Sequence, residues 1–151
     1  MRNAVFTFLV LLRLVVPTVQ LLAADERCGD AADKALFASE SWSDLGKWFE
    51  RYGECDDGYF AEHISSLVGE WLSGPPEQLA MLAAVVESYP AFDKHVTQHV
   101  DTTLNPDTTA QIRYNAERRC PSVASSVCLS VVRALDELDA EVRRLRYRKD
   151  R

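Results

Sequence analysis

The sequence predicts an all-α protein, a compact bundle or short array of about six to seven helices stapled by disulfides. After residue 24, apolar residues recur every three or four positions over nearly the whole chain, which is the period of an amphipathic helix. No run of alternating apolar and polar residues is long enough to predict a sheet. Four cysteines form an even set, which predicts two disulfides if the chain is exported.

Residues 1–24 have the composition of a secretory signal peptide. Arg2 precedes a long apolar stretch, and the small residues Ala23 and Ala24 precede a polar chain. We expect cleavage after Ala23 or Ala24 and a periplasmic or secreted product. Residues 25–151 are then expected to form a single helical domain with a basic C-terminal helix end.

Retention of the leader as an uncleaved membrane anchor is the alternative. Arg13 interrupts the apolar stretch and would lie near the centre of a bilayer, where a charge is costly. Pro17 and Gln20 weaken the stretch further. We therefore expect no stable membrane span after signal cleavage.

Charge is distributed unevenly along the chain. Residues 25–140 contain 21 acidic and nine basic side chains, for a net charge of −12. Residues 141–151 contain six basic and two acidic side chains, for a net charge of +4, and cations there favour a helix C-terminus. The acidic body argues against nucleic acid as a partner, because phosphates favour a basic surface.

Of the three possible connectivities we favour the pairing in chain order, Cys28 with Cys55 and Cys120 with Cys128, because both pairs close short loops. The second pairing requires that the helix after Pro121 begin late, near Ser125 or Ser126. An unbroken helix would separate the two Cα atoms beyond the ~7 Å limit for a disulfide. Zinc binding by these cysteines is not predicted, because the chain has no C-x-x-C spacing.

Capping residues and glycines delimit the first three helices. The first is predicted over residues 30–39. Ser41 caps the second, and Gly53 ends it. Asp56 and Asp57 offer side-chain oxygens to the free amides of the third.

Prolines separate the later helices. The fourth is predicted over residues 76–89, after the Gly74-Pro75-Pro76 stop, and the fifth over residues 92–104. Pro106 marks the start of the sixth, which reaches about Arg119.

The last helix is predicted to be the longest, either as one element or as several shorter ones. Its apolar stripe consists of Val123, Val127, Val131, Leu135, Leu138, Val142 and Leu145.

Two histidines are the strongest candidates for metal chemistry. His95 and His99 are four residues apart, which would place both imidazoles on one face of the fifth helix. Val96 stands where a zinc protease has its glutamate, and Asp101 is expected on another face. We therefore predict packed or surface histidines, no metal, no cofactor and no catalytic residue.

Other polar motifs are also better explained by structure than by catalysis. The segment around Asp56 lacks the alternating oxygen ligands of a calcium loop. Ser65 and the other serines lack the G-x-S-x-G turn of a hydrolase. The carboxylates that we predict to contact a partner are Asp56, Asp57, Glu62 and Asp101.

A further set of residues is spread over most of the mature chain: Asp44, Leu45, Tyr52, residues 55–62, Phe92, residues 99–104, Asn115, Cys120, Pro121 and Cys128. This set resembles a group of small exported bacterial helical proteins of uncharacterised activity. Such proteins are similar in size, leader and disulfide use to periplasmic immunity proteins, which neutralise toxins injected by neighbouring bacteria, for example by type VI secretion. The resemblance implies a binding protein without a catalytic site, and it carries over no site residues.

The sequence therefore predicts an exported, non-enzymatic binding protein that neutralises a partner such as a basic interbacterial toxin. One alternative is a structural or envelope-associated protein that self-associates, which an apolar face from Trp42 to Trp48 would favour. A second is a small metal-dependent hydrolase that uses His95, His99 and Glu62.

Overall fold

Seven α-helices and two 3-10 turns follow one another along residues 27–149, the part of the chain that the computed structural model describes. The helices are α1 (Asp30–Phe37), α2 (Trp42–Tyr52), α3 (Gly58–Ser73), α4 (Glu77–Ser88), α5 (Ala91–Gln98), α6 (Pro106–Arg118) and α7 (Ser125–Lys149). These residues contain no strand, so the all-α prediction is confirmed. The predicted signal peptide, residues 1–24, lies outside the described residues. Between residues 27 and 149, none of the helices has the length and apolar content needed to cross a membrane.

Side-chain caps fix the starts of α2, α3 and α6. The Ser41 hydroxyl accepts a hydrogen bond from the Asp44 amide, and Asn105 caps α6 in the same way through the Thr108 amide. Asp57 caps α3 by accepting from the Gly58 amide at 2.7 Å. The prediction that Asp56 also caps α3 is wrong, because its carboxylate is bonded to two histidines instead.

The fifth helix ends earlier than the sequence predicts. α5 stops at Gln98, and residues 99–104 form bends and turns. The Asp101 carboxylate accepts hydrogen bonds from both the amide and the hydroxyl of Thr103, at 2.7 and 2.6 Å. Such local bonds compete with helical ones, so the chain turns here and His99 leaves the helix.

Both disulfides have the predicted pairing. Cys28–Cys55, with a Cα–Cα distance of 5.3 Å, joins the segment before α1 to the 3-10 turn Gly53–Cys55. Cys120–Cys128, at 6.2 Å, forms because α7 starts only at Ser125, as its geometry requires.

The last helix is a single element of 25 residues whose inward face is shorter than predicted. The middle of the stripe, from Val127 to Leu138, is buried, whereas Val123 is 72% exposed and Leu145 is 49% exposed. Val123 lies in the 3-10 turn Ser122–Ala124, out of phase with the helix, and the end of α7 extends past the core.

The core joins helices that are distant in sequence. α6 packs against both α3 and α7, and α5 also packs against α7. Trp42 is buried, with its ring 4.8 Å from that of Trp71 and edge-on to it. Trp48 is buried as well, and its indole nitrogen donates to the Ala32 carbonyl. The apolar surface from Trp42 to Trp48 that would favour self-association is therefore core.

Candidate functional site

Three polar side chains from separate segments meet in the protein interior. Asp56 lies between the 3-10 turn and α3, His95 lies on α5, and His99 follows the end of α5. The Asp56 Oδ2 atom is 2.9 Å from His99 Nε2 and 3.3 Å from His95 Nδ1. One carboxylate oxygen is thus shared by two imidazoles.

Aromatic rings surround these histidines. Phe49 stacks on His95 with ring centroids 4.4 Å apart, and Phe92 lies 5.8 Å from the same ring. His95 and His99 are only 4% and 5% exposed, and their rings meet edge to face at 4.9 Å. Electrostatic interactions among the three groups are strong here, because little water screens them.

Ser65 and Asp101 extend the cluster on the far side of His99. The buried Ser65 hydroxyl lies 3.0 Å from Asp101 Oδ2 and 2.9 Å from His99 Nδ1. A carboxylate has no proton to donate, so Ser65 gives its single hydrogen to Asp101. The Ser65 oxygen must then accept from His99, which places a proton on His99 Nδ1.

This proton position determines what occupies the contact between His99 and Asp56. A neutral His99 with its proton on Nδ1 directs a lone pair from Nε2 at the Asp56 carboxylate, 2.9 Å away. Two acceptors at that distance repel each other. A cation must therefore lie in this contact, either as a second proton on His99 or as a metal ion.

The same geometry changes the acidity of Asp56. Burial alone would raise the pKa of this carboxyl. Hydrogen bonds from His95 and His99, together with the positive charge of their imidazolium forms, outweigh burial and hold the pKa well below its usual range. Asp56 is thus a carboxylate, and it supplies a permanent negative charge to the cluster.

Two buried polar atoms of the cluster have no hydrogen-bond partner among the described residues. They are Asp56 Oδ1 and His95 Nε2. A buried polar atom without a partner is costly, and such atoms are concentrated at functional sites. The second carboxylate oxygen is available to a ligand.

Asp56, His99 and Ser65 are the residue types of a nucleophilic triad. Their hydrogen atoms are arranged differently from those of a triad. Ser65 is 2% exposed and donates its hydrogen to Asp101, whereas a nucleophilic serine donates to the histidine that serves as its base. What this arrangement can do is hold a cation.

The structure separates the predicted contact residues into two groups. Asp56 and Asp101 join the histidine cluster, so the expectation that Asp101 points away from the histidines is wrong, because Ser65 links it to His99. Asp57 and Glu62 are exposed. Ser65 is the residue that sequence reasoning missed, and its signal is a hydroxyl between Ile64 and Val68 on the buried face of α3.

Glu62 lines a polar surface groove of about 340 Å³ beside the turn that contains Asp101. Glu70 lies in the same groove, together with the polar side chains of Thr103, Asn105 and Thr108. Thr103 connects the groove to the cluster, because it donates two hydrogen bonds to Asp101.

An exposed aromatic cluster, which the sequence did not predict, lies between α1 and α3. It consists of Phe37, Tyr59 and His63. The Phe37 ring is 4.4 Å from His63 and 6.1 Å from Tyr59. Phe37 and Tyr59 are 57% and 48% exposed.

No family model, curated protein or solved structure matches this chain. The basis for a functional proposal is then the chemistry of the cluster, the groove and the exposed aromatic residues.

Proposed function

We propose that this is an exported protein that binds and neutralises a partner protein with a cationic surface, such as the toxin of a neighbouring bacterium. The observation that carries the proposal is the exposed aromatic cluster of Phe37, Tyr59 and His63, set in a strongly acidic part of the chain. Export is supported by the signal-like residues 1–24 and by the pairing of all four cysteines in disulfides.

Aromatic side chains of this kind suit a binding surface. Exposed aromatic residues that come together are enriched among the residues that dominate binding energies. Phe37 packs against His63 in the unbound protein, so less rotamer freedom is lost when a partner binds. Singly scattered apolar residues would carry no such argument.

The net charge of this region indicates the kind of partner. Residues 30–107, which include α1 to α5, contain 15 acidic and four basic side chains, for a net charge of −11. Asp57 and Glu62 are exposed and lie beside Tyr59 and His63 in the sequence. A field of this sign speeds the encounter with a basic surface and repels an acidic one.

The groove offers a specific contact. Glu62 and Glu70 on its wall provide two carboxylates, and Thr103, Asn105 and Thr108 provide further hydrogen-bonding groups. We expect it to accept a lysine or arginine side chain of the partner, since a cation there gains hydrogen bonds and loses little solvation.

We expect the partner to be captured from periplasmic extract on the disulfide-intact protein and identified by mass spectrometry. The double variant Phe37→Ala, Tyr59→Ala should then raise the dissociation rate of the complex tenfold or more, because each aromatic residue at a binding hot spot contributes about 2 kcal/mol. Tyr114→Ala is the matched control, because Tyr114 is also exposed (53%) but lies on α6. Equal effects of the two changes, with unchanged melting, would contradict the role of the aromatic cluster.

The charge contribution is tested separately. Asp57→Asn with Glu62→Gln should slow association, and the wild-type association rate should fall as salt increases. The asparagine side chain introduced by Asp57→Asn keeps a capping oxygen for α3, which limits any loss of stability. The same change in charge on exposed residues of α7, Glu137→Gln with Glu141→Gln, should have a smaller effect. If the association rate of the captured partner changes neither with salt nor with Asp57→Asn and Glu62→Gln, electrostatic recognition is ruled out.

A further inference from the structure

We propose that Asp56, His95 and His99 form a binding site for a divalent transition-metal ion, with Zn²⁺ the best match. Each residue presents one ligand atom, and these atoms all lie within 4.8 Å of one another. Two imidazole nitrogens and one carboxylate oxygen are a donor set typical of zinc sites. This proposal does not depend on the proposed binding function.

The distances fit a metal centre after a small rearrangement. In a tetrahedral zinc site with bonds of 2.0–2.2 Å, neighbouring ligand atoms are about 3.4 Å apart. Asp56 Oδ2 is 3.3 Å from His95 Nδ1, close to this spacing, and 2.9 Å from His99 Nε2, which has to lengthen by about 0.5 Å. The two histidine nitrogens then have to approach by at most about 1.4 Å, a side-chain adjustment.

The surroundings of His99 match those of a metal ligand. A metal-bound histidine usually donates its other ring N–H to a carboxylate or another acceptor, which fixes the ring and its proton. His99 Nδ1 donates to Ser65, and Ser65 donates to Asp101, so the lone pair of Nε2 is directed at the proposed ion. Ser65 and Asp101 are positioning residues in this arrangement.

The number of ligand atoms that meet here favours a dication over a proton. A second proton on His99 would serve only the contact between His99 and Asp56, whereas one dication can also bind His95 Nδ1, which lies 3.3 Å from the same Asp56 oxygen. One ion between them satisfies three donor atoms, and Asp56 Oδ1, which has no partner among the described residues, is available as a further ligand. The Asp56 side chain is 17% exposed and provides the route from solvent. Three protein ligands leave a fourth position for water.

The test uses the mature, disulfide-intact protein, stripped of metal with a chelator and then titrated with ZnCl₂ or CoCl₂. We expect one ion per chain by calorimetry, a rise in melting temperature with Zn²⁺, and the intense visible absorption of four-coordinate Co²⁺. Ser65→Ala should weaken binding about 10- to 100-fold, because it removes the outer-shell partner of His99. Asp56→Asn should weaken it further.

His63→Gln is the matched control, because His63 is the one other histidine of the chain and lies half-buried on α3, outside the cluster of Asp56, His95 and His99. It should bind one ion with wild-type affinity. The absence of saturable binding to the wild-type protein would overturn the proposal, as would an ion that the Asp56→Asn variant retains. If Asp56→Asn does not fold, the wild-type Co²⁺ spectrum decides: intense absorption supports the site, and weak six-coordinate absorption refutes it.

Discussion

Asn115→Asp is expected to lower the free energy of unfolding by at least about 3 kcal/mol at neutral pH. The buried Asn115 side chain donates from Nδ2 to the carbonyls of Leu72 and Gly74, at 2.9 and 2.8 Å. These bonds satisfy carbonyls at the end of α3, which have no partner within the helix. Aspartate has the same shape but only acceptors, so it would place a negative charge against both carbonyls.

Urea unfolding measures the loss. Asn115→Ala should cost about 2–4 kcal/mol, somewhat less than aspartate, because it leaves the carbonyls unpaired without adding a charge. Gln111→Ala is the control, since exposed Gln111 donates one hydrogen bond to Asn115 and its loss should cost less than about 1 kcal/mol. If Asn115→Asp were as stable as the wild type, the hydrogen bonds from Asn115 on α6 to the end of α3 would contribute little to stability.

Replacing Cys28 and Cys55 with serine should cost about 3.5 kcal/mol. The disulfide closes a loop with a sequence separation of 27, and the loss follows from the extra freedom that its removal gives the unfolded chain. An ion pair between Arg27 and Glu54 lies beside the bond but is exposed, so it contributes little. The variant should also loosen Asp56, which directly follows Cys55.

The second disulfide provides an internal comparison. Cys120–Cys128 closes a loop with a separation of only eight, so its replacement should cost about 2.5 kcal/mol. Denaturant unfolding of the two double-serine variants under the same conditions gives the order. A larger loss for the short loop would show that native-state contacts, and not loop closure, determine the contribution of each bond.

Local signals in the sequence predicted the helices and both disulfides well. Ser41 and Asp57 cap the helices as expected, because an N-cap depends on residues at most three positions apart. The late start of α7 followed from the Cα distance that Cys120–Cys128 can span. These inferences need only spacing and covalent geometry.

The candidate site could be predicted only in part, because its contacts join distant segments. His95 and His99 stood out through their spacing, but His99 meets Asp56 and Ser65 across 43 and 34 residues. No periodic pattern specifies such pairings. The turn at Asp101 was also missed, because the helical pattern of residues 92–104 concealed a side chain that bonds its own backbone neighbours.

The sequence also does not predict which individual apolar side chains are buried. Phe37, the last residue of α1, is 57% exposed, whereas Leu36 beside it is fully buried. At the end of a short helix the apolar period cannot decide which of two adjacent residues faces the core.

The most direct measurement is the protonation of the two His99 ring nitrogens, by ¹⁵N NMR of the metal-free, disulfide-intact protein at neutral pH. The donation of Ser65 to Asp101 predicts a proton on Nδ1, and Nε2 is then the nitrogen that faces Asp56. Addition of Zn²⁺ should shift the Nε2 resonance and leave the proton on Nδ1. A neutral ring with its proton on Nε2 and a bare Nδ1 would contradict the account, because Ser65 would then donate to His99 and no cation would be required between His99 and Asp56.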